Sequence, residues 1–82
     1  ALVKEKLAAC VNILPNVTSV YTWNNEMNTE SEILLFIKTT ESQSKKVENK
    51  IIELHSYDTP EIIFLPIQGG SKQYLDWINE SV

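Results

Sequence analysis

The chain has one histidine, His55, and one cysteine, Cys10. With Asp58, Glu61, Lys38 and Tyr57 they are the side chains best suited to chemistry. Imidazole binds copper and zinc well, but a durable site takes three or four donors. In sequence only Asp58 and Glu61 lie near His55, and the spacing H-x-x-D-x-x-E is not that of a single-helix ligand set. A metal site on His55 therefore calls for donors from elsewhere, such as a second subunit. Alternatively, His55 sits in a pocket between subunits with Lys38, Tyr57 and Glu61, where a cation, a phenol and a carboxylate would take a small polar or anionic ligand. The plainest role for His55 is to end a helix, where a partly protonated ring meets the negative end of the helix dipole. Cys10 stands at the start of an extended segment and reads as a core residue, since free cysteines are among the most buried side chains.

Other chemistries find little support. No third group is placed to orient Cys10 and His55 as a nucleophile and base, so no catalytic residue is assigned. The two glycines are adjacent, Gly69-Gly70, and cannot form a phosphate-cradling loop. Seven lysines, no arginine and eleven acidic residues give a net charge of −4. That balance disfavours nucleic acid, which is bound by concentrated positive charge, and ligands that need a bidentate guanidinium. The longest apolar run, 33–37, is far too short to cross a bilayer, so no membrane role is expected. A lone cysteine fits a reducing compartment, and the cytoplasm is the expected location.

The elements that must hold these residues follow from periodicity. At 82 residues a single domain over 1–82 is expected, with a small core that association would help. "LVKEKLAA" (2–9) reads as the end of a helix. "CVNILP" then runs extended to a break or bulge at Pro15-Asn16. "VTSVYTW" (17–23) resumes the strand with neither face cleanly apolar, a pattern that suits contact with another subunit through Tyr21 and Trp23. "NNEMN" (24–28) supplies a turn, and 31–40 forms the second strand of an antiparallel hairpin, its centre apolar on both faces and so expected to be covered from both sides. Thr40 and Gln43 fit a capping box, opening a helix that packs Val47, Ile51 and Leu54, turns Lys45, Lys46 and Lys50 outward, and ends near Ser56. "EIIFLPI" (61–67) reads as a third strand. Ser71 caps a final helix with Tyr74, Leu75, Ile78 and Val82 along one side. Tyr21, Trp23, Tyr57, Tyr74 and Trp77 read as core or interface aromatics more readily than as a ligand cleft.

The order helix, strand, strand, helix, strand, helix becomes β-α-β-β-α-β plus a terminal helix once a strand precedes it. The fold class expected is therefore α+β and ferredoxin-like. Its N-terminal central strand would lie between 31–40 and 61–67, outside this chain, and the natural protein is expected to be longer at its N-terminus.

Beyond periodicity, the segments "KLAACVNILP", "SVYTWNN", "LLFIKTT", "HSYDTPEIIFLPI" and "YLDWINES" resemble, in order and spacing, the motifs of the CutA divalent-cation tolerance proteins. The resemblance spans essentially the whole chain. It implies a ferredoxin-like subunit similar in plan to the PII signalling proteins, and a homotrimer in which long hairpin strands cross subunit boundaries. It also implies a link to tolerance of copper and other divalent cations, with no enzymatic reaction established, so no enzyme is expected. The alternative is a PII-like small-molecule sensor without a metal role. The chain departs from the family pattern at Ser56, where proline is usual after the histidine, at Asn25, where the hairpin turn commonly has glycine, and at Leu54, where some members have a second histidine.

Overall fold

The computed structural model describes residues 1–55 and 61–82. The segment 2–9, expected as the end of a helix, holds turns and no regular helix, and the helix expected to end near Ser56 ends at Leu54. Residues 1–8 form hydrogen-bonded turns that close as a helix terminus does. Leu7 N–H donates to Leu2 C=O at 2.9 Å and Lys6 N–H to Val3 C=O at 3.1 Å. With Lys6 at φ 59, this is a Schellman motif with lysine in the left-handed position that usually holds glycine. Ser56 lies outside the described residues.

β1 (Cys10–Trp23) and β2 (Glu26–Lys38) pair in an antiparallel hairpin. Pro15 and Asn16 together face one residue of β2, since the register passes from Leu14↔Leu34 to Val17↔Glu32. This is the expected bulge, and Asn16 takes φ 58 within it. The extra residue moves side chains between faces. Without it Cys10, Asn12 and Leu14 would oppose Val17, Ser19, Tyr21 and Trp23; with it all seven share the face that carries Leu34, Phe36 and Lys38. The turn is narrower than 24–28. Asn24 (φ 53) and Asn25 (φ 63) alone make it, and Glu26 already pairs with Trp23. Two consecutive left-handed residues match the right-handed strand twist, and asparagine tolerates them better than most side chains.

A 3₁₀ turn, Glu41–Gln43, precedes α1 (Ser44–Leu54). The capping box does not form. The Thr40 hydroxyl contacts the Ser42 hydroxyl at 3.1 Å, while Ser44 Oγ donates to Glu41 C=O at 2.7 Å. The tighter 3₁₀ spacing displaces Gln43 from the position a box requires. Val47 is buried as expected, but Leu54 is 60% exposed. Lys50 does not point freely outward; it pairs with Glu5 at 3.2 Å and ties the N-terminal turn to α1.

α2 (Lys72–Ser81) starts as expected, with Ser71 Oγ accepting from Tyr74 N–H at 3.3 Å. The third strand is not found: 61–70 has no regular secondary structure, and among the described residues the sheet has two strands. A strand exists only through its ladder, and 61–67 has no hydrogen-bonded neighbour strand among the described residues. The same shortage appears in the core. Ala8, Ala9, Val47 and Ile78 are buried, whereas Ile33 is 68% exposed and Leu34, Leu35 and Phe36 all remain accessible. The cover expected on both faces of β2 is not supplied by the described residues.

Candidate functional site

Lys38, the last residue of β2, is held at its backbone by Ala9 N–H, which donates to its carbonyl at 2.8 Å. Next to it, the Thr39 hydroxyl donates to Leu7 C=O at 2.6 Å, so the N-terminal turn fixes this end of the hairpin. The Lys38 side chain then reaches α2. Its ammonium donates to the Tyr74 hydroxyl at 3.0 Å and lies 5.4 Å from the centre of the Tyr74 ring, within cation–π range. The hydrogen bond to Tyr74 raises the Lys38 pKa above its ordinary value, so the cation is held more firmly than in water.

Tyr74 and Trp77 are three residues apart and therefore neighbours on one face of α2. Their ring centres are 5.5 Å apart and their planes tilted by 36°. Both rings are accessible, and with Ser71 and Gln73 they line an open depression of about 370 Å³. A lysine, a phenol and an indole thus meet on one face of α2. Sequence reasoning placed Tyr74 and Trp77 with the packing aromatics. The i, i+3 spacing just after the Ser71 cap was the signal for their shared face, but nothing local ties that face to Lys38, 36 residues earlier.

The other expected site residues fall elsewhere. His55 is the C-cap of α1, where its backbone N–H donates to Ile51 C=O at 2.9 Å with φ −81 and ψ 143. That places it at the helix end, as the plainest role requires. Tyr57 and Asp58 lie outside the described residues. Glu61 is exposed, and no described hydrogen bond or ion pair links it to Lys38. Among the described residues, no three His, Cys, Asp or Glu side chains cluster as a metal site would need. Cys10 is partly buried, less than a core residue, opposite Lys38 in the register; its thiol is 3.9 Å from Asn12 Oδ1.

On the same sheet face, Tyr21 is raised in pKa, first through its hydrogen bond to Glu30 and then by burial and the nearby charges of Glu30 and Glu32. Trp23, at the end of β1, is 68% exposed. No helix of the described residues is long and apolar enough to cross a membrane.

The profile of the family described as "CutA1 divalent ion tolerance protein" matches residues 1–81. The divalent-cation tolerance protein CutA of Thermus thermophilus is 48% identical over 81 residues, 99% of this chain and 79% of that protein. Its solved structure superimposes with a TM-score of 0.91 over 98% of this chain and 78% of that one. The chloroplastic CutA protein of Arabidopsis thaliana is also 48% identical, over 99% of this chain but 44% of its own length. This chain thus spans most of the bacterial relative and under half of the plant one. The structure titled PII-like protein CutA from Nostoc sp. PCC 7120, in apo form, has a TM-score of 0.87 at 32% identity, over 98% of this chain and 78% of that one. The two-stranded hairpin and two helices thus belong to an α+β fold of the ferredoxin-like, PII-like kind. On the profile match and these identities together, the chain is a member of the CutA1 divalent ion tolerance family.

Proposed function

We propose that this chain acts by binding, without turnover, in the response to divalent cations, copper foremost, and that it does so as a cytoplasmic homotrimer. The observation that carries the reading is the family match over 1–81, whose description names divalent ion tolerance and no reaction. The exposed apolar side chains support assembly. Val20, Trp23, Ile33 and Phe36 lie accessible on a hairpin, and chains of this size rarely leave so much apolar surface in water. Three copies closing around one axis would cover it.

In this reading His55 is the metal donor from each subunit, and the remaining ligands come from Glu61 or from a neighbouring copy. Titration of the assembled protein with Cu²⁺ and Zn²⁺, comparing wild type with His55→Ala, tests it. Weaker binding in the variant is expected. Equal affinity would remove His55 from any metal role.

A second reading, a PII-like sensor of a small polar ligand, is favoured by one observation: Lys38 meets Tyr74 beside an open depression. Lys38, Tyr57 and Glu61 would then contribute to ligand binding near subunit contacts. In this reading His55→Ala leaves Cu²⁺ and Zn²⁺ affinity unchanged, whereas Lys38→Met lowers affinity for the small ligand.

A further inference from the structure

We propose that the shelf formed by Lys38, Tyr74 and Trp77 binds a small planar aromatic monoanion, a ring bearing one carboxylate. The proposal deepens the small-ligand reading and rests on it.

The charge argument starts from where the lysines find partners. Two lysines of the hairpin and α1, Lys38 and Lys50, are partly buried. Lys50 is neutralised by Glu5 at 3.2 Å and Glu53 at 4.0 Å. Lys38 joins no ion pair among the described residues; its partner is the uncharged Tyr74 hydroxyl. One phenol satisfies one of three ammonium donors and none of its charge. In a chain of net charge −4, a partly sheltered cation with no carboxylate partner among the described residues is a place for an anion to be supplied from outside.

The shape argument comes from α2. Tyr74 is 42% and Trp77 44% exposed, and their tilted rings offer faces suited to offset stacking with a flat ligand. The depression they line is shallow and open to solvent, so a flat ligand would lie on it with one face exposed. Ser71 and Gln73 add hydrogen-bonding groups at its rim. The chemistry favours a single carboxylate over a polyphosphate. Lys72, the next cation on α2, is already engaged by Asp76 at 2.6 Å, and the chain has no arginine to grip a second phosphate.

The experiment follows the indole N–H signals of the assembled, isotope-labelled protein by NMR, with Trp23→Phe assigning which signal is which. Benzoate, benzyl alcohol and benzylammonium serve as probes of equal ring size. Benzoate is expected to shift the Trp77 signal saturably while the Trp23 signal stays in place. It should bind about tenfold more tightly than benzyl alcohol, the increment of one charge-assisted hydrogen bond. Lys38→Met is expected to bring the two affinities together. Because the three probes are compared on the wild-type protein, the test does not depend on that variant folding. Benzyl alcohol or benzylammonium binding as tightly as benzoate overturns the anion assignment and leaves the small-ligand reading standing. No saturable shift of Trp77 with any probe overturns the shelf as an aromatic-binding site, while the small-ligand reading stands or falls on its own Lys38→Met test.

Discussion

Trp23→Ala separates assembly from folding, because Trp23 ends β1 at the hairpin turn and is 68% exposed within its own chain. Removing it costs the isolated subunit little. If trimer formation covers the ring, about 150 Å² of apolar area leaves water at each copy, on the usual scale for an aromatic side chain. At about 25 cal/mol per Å² that is about 4 kcal/mol per site, as an upper figure. Every 1.4 kcal/mol is tenfold in an equilibrium constant, so alanine should weaken association by roughly two to three orders of magnitude per contact. Sedimentation velocity over a dilution series from micromolar to nanomolar should show the variant dissociating at concentrations where wild type remains assembled. Far-UV circular dichroism should stay unchanged at high concentration. An assembly mass that is identical for both proteins across the series refutes the placement of Trp23 in the interface.

Further expectations concern local structure. Lys6→Gly should stabilise the protein, because relief of a left-handed lysine is worth roughly 1–2 kcal/mol and the added freedom of glycine when unfolded costs roughly 0.5–1 kcal/mol. The urea midpoint should rise with an unchanged slope, and a fall would show that the turn is not strained. Ser71→Ala removes the α2 cap and should cost about 1 kcal/mol in the same measurement, with a loss near zero counting against the 3.3 Å bond. Tyr21 has a raised pKa in the folded chain, so its contribution is complete below the unfolded value of 10.0 and disappears as pH rises through the folded one. Absorbance titration of the phenolate should show one tyrosine ionising late in wild type, and the late component should vanish in Tyr21→Phe. If Glu30→Gln leaves that component in place, the Tyr21–Glu30 bond is not its cause.

Local chemistry was legible in the residues themselves. Pro15-Asn16 announced the bulge because proline has no N–H for the ladder, and Ser71 announced the α2 start because its hydroxyl meets an otherwise unpaired N–H. Asn25 announced a left-handed turn residue for steric reasons, and the succession of short motifs pointed to the family that the profile match then established. At the start of α1 the reading failed. Thr40 found Ser42 instead of the Gln43 backbone, and a 3₁₀ turn replaced the box.

What only tertiary structure decided involves partners distant in the chain. The strand character of 61–67 depends on a hydrogen-bonded neighbour, and apolar residues alone cannot provide one. The faces of β1 depend on one extra residue at the bulge, which sets Tyr21 and Trp23 on the side of Lys38. The meeting of Lys38 with Tyr74 spans 36 residues and arises where the end of the hairpin abuts α2. Periodicity reports which side of an element is apolar, but it carries no information about which element will stand opposite, because that is settled by packing among segments far apart in sequence.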